Sequence, residues 1–261
     1  MIKVVKIGGN VVDNEALLQS FCQDFAAMEG PKVLVHGGGV MASAIQKALG
    51  QTPIKIEGRR VTDEETLKVV TMVYAGWCNK HVTALLQQNG CNAIGLSGCD
   101  ASVIKAEKRP PRTLLDGVTV VDYGFVGDVK KESVNTAFIH QLLSLGITPV
   151  FCAINHDGKG NLLNTNADTI ASSVASALGA TLLCCFEKKG VLMDKDDDES
   201  VIPHITPSYF KQLVQDGVVD AGMIPKLENS FKALKEGAAS VVIRSSEDLT
   251  TESGTTLSLD E

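Results

Sequence analysis

Ile2-Lys-Val-Val-Lys-Ile-Gly-Gly9 opens with an apolar, β-rich run that ends in two glycines, the pattern of a buried strand leaving into a tight turn. Outward from it, Glu15–Met28 places Leu17, Phe21 and Phe25 at i, i+4 and i+8, which predicts an amphipathic helix. A second short apolar run, Lys32–Val35, then exits through His36-Gly-Gly-Gly39. This alternation implies βαβ units and an α/β class, with an open, mainly parallel sheet running through the chain.

The same alternation continues. Thr62 can cap a long helix with Glu65 as its capping-box partner. Leu67, Val70, Tyr74, Trp77, His81 and Leu85 share a face until Asn89-Gly90 ends it. From Ala93 to about Val129 the pattern becomes several short strands around the turn Lys108-Arg-Pro-Pro-Arg112. A helix near Thr136–Leu145, a strand Ile147–Ile154, a turn His156–Gly160 and a small-residue helix from Ala167 to Leu178 closed by Gly179 follow. Strand Thr181–Phe186, an acidic loop at Asp194–Ser200, helices opened by Thr206-Pro207 and by Pro225, and strand Ser240–Arg244 complete the chain. The change of pattern near residue 165 suggests lobes 1–165 and 166–261.

Composition narrows the partner. The 261 residues are 44% hydrophobic, enough for a sizeable core, and Lys+Arg 24 against Asp+Glu 31 gives a formal charge of -7. That sign disfavours nucleic acid and anionic membrane surfaces, leaving small molecules. No apolar run reaches the ~20 residues of a membrane span and no signal-peptide core precedes Gly8, so a cytoplasmic protein is expected. Seven cysteines without C-x-x-C spacing read as buried thiols, not disulfides or a zinc site, and no metal ligand set is expected.

The chemistry lies in residues placed against local preference. Backbone N–H groups of glycine turns after strands can receive a phosphate or carboxylate, and two such turns in one half of the chain favour an anion site over ordinary turns. Lys6 sits inside an apolar strand, where an ammonium needs an anion. Lys226 stands in the first turn of a helix, where a cation opposes the helix dipole. Asn164-Thr-Asn-Ala-Asp168 offers polar groups at a helix entrance, as caps or as a site, and Arg60 is a fork for a carboxylate. There is no G-x-x-x-x-G-K-[ST] loop. Gly37-x-Gly39-x-x-Ala42 with Glu57 about 20 residues on fits the looser dinucleotide pattern, so an NAD(P)-dependent oxidoreductase stays open, as does a non-catalytic amino-acid sensor.

Taken together, Lys6-Ile-Gly-Gly9, His36-Gly-Gly-Gly39, Arg60-Val-Thr62, Leu96-Ser-Gly98 with Asp100, Val121–Gly127, Asn164–Asp168 and Gly222-Met-Ile-Pro-Lys226 resemble the N-acetylglutamate kinase family of amino-acid kinases, almost end to end. The resemblance implies an open αβα sandwich whose N-terminal lobe holds an N-acylglutamate and whose C-terminal lobe holds ATP with its Mg²⁺, in arginine biosynthesis. It implies that Lys6 and Lys226 stabilise the moving phosphoryl group, that Asp168 positions them, and that Gly8 and Gly9 bind phosphate. Gly38, Gly39, Arg60 and Asn164 would bind the acyl-amino acid, and Glu187, Gly190 and Met223 would flank the nucleotide. Some relatives carry an N-terminal helical extension that builds arginine-inhibited hexamers. With the first strand beginning at Ile2, a homodimer insensitive to arginine is expected.

Three departures stand out. Phe186-Glu187-Lys-Lys-Gly190 replaces the usual Thr-Asp pair, Ala221-Gly-Met223 replaces Gly-Gly-Met, and Arg59 stands where the family often has leucine. A fixed cation there would suit a succinyl in place of an acetyl group, if Arg59 faces the substrate.

Overall fold

The computed structural model describes residues 1–114, 116–219, 223–247, 249 and 253–260; Ala221 and Gly222 of the quoted motifs lie outside that set. Eight strands form one sheet: β1 (Lys3–Ile7), β2 (Lys32–His36), β3 (Ala93–Leu96), β4 (Thr148–Phe151), β5 (Thr181–Phe186), β6 (His204–Ile205), β7 (Ser240–Ser245) and β8 (Thr255–Leu257). Their order is β6-β8-β7-β5-β1-β2-β4-β3, and every pairing is parallel except β7 with β8. The αβα architecture with a mainly parallel sheet thus agrees with the sequence reading.

Nine α-helices surround it among the described residues: α1 (Gly9–Val12), α2 (Glu15–Ala27), α3 (Gly39–Ala48), α4 (Glu64–Thr71), α5 (Asn79–Gln88), α6 (Thr136–Ser144), α7 (Ala167–Leu178), α8 (Pro207–Gln215) and α9 (Ile224–Lys235). Strands β1, β2, β4 and β5 are nearly all buried, as expected for strands covered on both faces. The cysteines are unpaired; six are buried and Cys99 is half-buried. Among the described residues no helix is long and apolar enough to cross a membrane.

The central place of β1 positions everything else. It pairs with β2 on one side and β5 on the other, so the chain's two halves share one sheet. Strand order reverses at β1, and the carboxyl ends on either side of such a reversal leave a crevice for ligands. Ile7-Gly8-Gly9, His36–Gly39 and Phe186-Glu187 all leave their strands at that edge.

Three details differ from the sequence reading. Asp63, not Thr62, caps α4: its carboxylate accepts from the Thr66 N–H at 2.8 Å. Thr62 is diverted into the middle segment, its N–H donating to the Tyr123 carbonyl (2.9 Å) and its own carbonyl accepting from Phe125 (2.7 Å). The long helix contains a π-helical turn, Met72–Cys78, between α4 and α5. This extra residue per turn breaks the 3.6 period, and Trp77 is 60% exposed instead of continuing the buried face. The strand read as Ile147–Ile154 stops at Phe151 and resumes as a separate ribbon, Ile154–His156 paired with Leu162–Asn164.

The Tyr-Gly-Phe segment holds Thr62 by close backbone approach. Gly124 has φ 74°, and a Cβ there would lie 2.3 Å from the Thr62 carbonyl oxygen. A left-handed non-glycine residue costs about 1–3 kcal/mol before any clash. Gly124→Ala is therefore expected to lower unfolding free energy by at least ~2 kcal/mol in denaturant titration. An unchanged midpoint would contradict the packing described.

Candidate active site

Three chain segments converge where β1 and β2 end. A methyl group built on Gly9 would lie 3.8 Å from the Gly39 nitrogen, and one on Gly37 would lie 3.9 Å from the Ala167 Cβ at the start of α7. The two glycine turns and the α7 N-terminus therefore abut, and the N-terminal ends of α3 and α7 bring partial positive charge to the same point. Gly38 adopts φ 156°, and a side chain there would meet the Tyr74 ring at 2.9 Å.

The turn after β2 is braced from beneath. His36 is fully buried; Asn79 Nδ2 donates to its Nε2 (3.0 Å) and to the Val150 carbonyl (2.9 Å). With Nε2 accepting, Nδ1–H donates to the Gly37 carbonyl at 2.8 Å. Burial pushes the imidazole down to about 4, so the ring is neutral at pH 7 and holds the turn by a fixed tautomer. From above, Arg60 Nη2 donates to the Gly39 carbonyl (2.8 Å) and the Ser43 hydroxyl (2.7 Å), and Nη1 donates to Gln46.

Lys6, only 6% exposed, points out of β1 into this junction and meets Asp168 Oδ1 at 2.7 Å. Asn166, not Asp168, caps α7, accepting from the Asp168 and Thr169 N–H groups at 2.7 and 3.2 Å. The Asp168 carboxylate is thereby left to the lysine. Lys226 approaches from α9: its ammonium lies 4.1 Å and that of Lys6 5.0 Å from the centre of the Phe186 ring. One aromatic ring thus brings the two cations to a common contact.

Two cavities meet at Lys6. The first, about 220 Å³, is lined by Lys6, Gly8, Gly9, Gly37–Gly39, Arg59, Arg60, Tyr74, Arg109, Asn164 and Asp168 among others. The second, about 330 Å³, again includes Lys6, Gly8 and Gly9, and adds Asn10, Phe186, Glu187, Gly190, Met223 and Lys226. Asn10 Nδ2 donates to Glu187 Oε1, linking the first turn to the loop after β5. A further hollow continues past Gly190, Val191, Leu192 and Met223. Every residue singled out in the sequence as catalytic, substrate-binding or nucleotide-binding lines one of the first two cavities.

The first cavity's wall is a single hydrogen-bonded fabric. Asn164, 7% exposed, donates from Nδ2 to the Thr62 hydroxyl (3.0 Å) and from its N–H to the Phe125 carbonyl (2.9 Å). Arg-Val-Thr, Gly-Phe-Val-Gly and Asn-Thr-Asn thus hold one another. The hairpin Lys55-Ile56/Arg59-Arg60 overhangs the cavity, and both Arg59 and Arg60 line it. Arg109 forms a bidentate pair with Asp128 through Nε (2.9 Å) and Nη2. Burial disfavours an ionised Asp128, yet the Arg109 hydrogen bonds and charge hold its carboxyl below the ordinary range. Arg59 is half-buried; desolvation, then the like charges of Arg109 and Arg112, pull its pKa down, and Asp128 only partly offsets them.

Tyr74, Lys55 and Arg109 were not singled out from sequence. Arg109 reads there as part of a Pro-Pro turn, and only the pairing of Glu107-Lys108 with Gly127-Asp128 sets it against Asp128. The dinucleotide alternative loses its acidic partner: Glu57 occupies the hairpin turn, ion-paired with Arg112 at 2.9 Å, rather than the end of β2.

Residues 1–245 match the model of the amino acid kinase family, and the chain belongs to that family. It is 54% identical over 246 residues to an acetylglutamate kinase of Bacteroides thetaiotaomicron, covering 93% of this chain and 92% of that one. An acetylglutamate kinase of Bacteroides fragilis is 52% identical over 258 residues, 97% of this chain and 95% of the other. The solved structure of smu.665 from Streptococcus mutans superposes with a TM-score of 0.76 at 29% identity, covering 99% of each chain. The chain is accordingly a kinase of the carboxyl-phosphorylating kind, and the oxidoreductase and sensor alternatives are not favoured.

Because His36 stays neutral in the fold to about pH 4 while an exposed histidine protonates near 6.5, the unfolded chain binds the extra proton first. The stability that buried His36 confers is therefore present above pH 6.5 and lost as pH falls toward 4. The destabilisation caused by His36→Gln should shrink by up to about 1.4 kcal/mol per pH unit within that window, read from denaturant midpoints. A pH-independent difference would contradict the neutral, buried imidazole.

Proposed function

We propose that this protein is an ATP-dependent N-acetylglutamate kinase that transfers the γ-phosphoryl group to the side-chain carboxylate, forming an acyl phosphate in arginine biosynthesis. One observation carries the reading: a cavity sized for a small amino-acid derivative and a second, larger one meet at Lys6, Gly8 and Gly9. The 1–165 lobe would hold the acyl-amino acid through Gly38, Gly39, Arg60 and Asn164. The 166–261 lobe would hold the nucleotide beside Glu187, Gly190 and Met223.

The chemistry asks little of acid–base groups. The accepting carboxylate is already ionised at pH 7, so no general base is needed, and the buried neutral His36 is not one. What remains is alignment and charge. Lys6 and Lys226, both within reach of the Phe186 ring, would meet the negative charge of the moving phosphoryl group. Gly8 and Gly9 would donate backbone N–H groups to its oxygens, and Asp168 would keep the ammoniums in place. A Mg²⁺ would arrive with the phosphates and its own waters, neutralising their charge. A cytoplasmic homodimer is the assembly proposed. Exposed Met72 and Trp77, each at 60% on the α4–α5 helix, supply apolar surface for a second copy.

The reading is tested by ADP release with N-acetylglutamate, free glutamate, aspartate and UMP; release with an acylglutamate is expected, and release only with another acceptor would overturn it. Lys6→Ala and Lys226→Ala are each expected to lower kcat by roughly 10²–10³ with a much smaller change in KM, because charge stabilisation acts on the transition state. Near-native turnover in either would remove that lysine from the reaction. Asp168→Asn should lose turnover without unfolding, as seen by circular dichroism.

A further inference from the structure

The first cavity is more cationic than an acetylated substrate requires. Lys6, Lys55, Arg59, Arg60 and Arg109 all line it. Lys6 is answered by Asp168, and Arg60 is held by three neutral groups. Arg109, 9% exposed, spends Nε and Nη2 on Asp128, but its Nη1 is buried without a hydrogen-bond partner. The Arg59 side chain makes no hydrogen bond or ion pair among the described residues, and of the charges acting on it those of Arg109 and Arg112 repel it while Asp128 offsets them only in part.

On the acylglutamate reading, on which this inference rests, an N-acetyl substrate brings two carboxylates. One lies against Lys6 and the glycine turns, the other against Arg60 and Asn164. The Arg59 guanidinium and Nη1 of Arg109 are left without a hydrogen-bond acceptor. A buried donor on a charged group without an acceptor is destabilising, and two neighbouring guanidinium groups repel. A carboxylate answers both, because its two oxygens match the planar donor fork of arginine. The acyl chain is the part of the substrate free to carry it.

We infer that the preferred substrate has an acyl chain ending in its own carboxylate, gripped by Arg59 and Nη1 of Arg109, so that N-succinylglutamate is favoured over N-acetylglutamate. Arg59 is then a specificity residue, and the Arg109–Asp128 pair fixes the second guanidinium where the carboxylate arrives. Arg59 reaches the site because the hairpin Lys55–Arg60 folds over the cavity mouth.

Steady-state ADP release with N-acetyl- and N-succinyl-L-glutamate is compared for the native protein, Arg59→Leu and Arg59→Lys. The native kcat/KM should be at least about tenfold higher for the succinyl compound, mainly through KM. Arg59→Leu should lower the succinyl-to-acetyl ratio about tenfold or more, and Arg59→Lys should restore part of it. Since Arg59→Leu removes no side-chain hydrogen bond among the described residues, it should fold. A native preference for the acetyl compound, or a ratio unchanged in Arg59→Leu, overturns the inference while leaving the kinase reading intact. Release with neither compound defeats both.

Discussion

The ion pair between Lys6 and Asp168, 2.7 Å long at the carboxyl end of the central strand, is the constraint around which the site is arranged. An ammonium buried in a parallel sheet is costly unless a charge answers it, and Asp168 comes from a helix far along the chain. It can do so because β1 lies between β2 and β5, bringing the N-terminal glycine turns beside the start of α7. Asn166 takes over the capping duty, so the neighbouring carboxylate is spent on the lysine. The pair is not sealed: Asp168 retains 24% side-chain exposure, on the side where the cavities meet.

The turn after β2 is clamped between a neutral His36 and the guanidinium of Arg60, which fixes the direction of its N–H groups before any ligand arrives. Preorganised donors of this kind need not reorient when charge develops, which is where most electrostatic stabilisation of a transition state originates. The segments 60–62, 123–127 and 164 are stitched by backbone and side-chain hydrogen bonds into the wall of the same cavity, though they lie far apart in sequence. Aromatic Phe186 performs a different task, offering its ring to both ammoniums as a cation–π partner.

Much of this was legible in the sequence because it rests on local chemistry. Strand Thr181–Phe186 and helix Ala167–Leu178 with its glycine stop were readable to the residue, from an apolar run bounded by turns and from small residues ended by a left-handed cap. Lys6 and Lys226 were conspicuous because each stood against local preference. Long-range competition hid the rest. Thr62 and Asp63 are both competent caps, and only the pairing of Thr62 with Tyr123 and Phe125 decides for Asp63. The π-helical turn has no sequence signature, so the exposure of Trp77 could not be read from a 3.6-residue period. Adjacent positions in a strand alternate faces, which left the direction of Arg59 open; the short overhanging hairpin settles that it lines the cavity.

The central claim is that the two cavities joined at Lys6 pass a phosphoryl group from nucleotide to side-chain carboxylate. It is tested most directly by trapping the product. Incubation with MgATP and an N-acylglutamate in the presence of hydroxylamine should yield a hydroxamate of the side-chain carboxyl in step with ADP, one for one, because hydroxylamine captures an acyl phosphate as it forms. ADP released without hydroxamate, or at a rate independent of the acylglutamate, would mean that the phosphoryl group goes to water and would contradict the account.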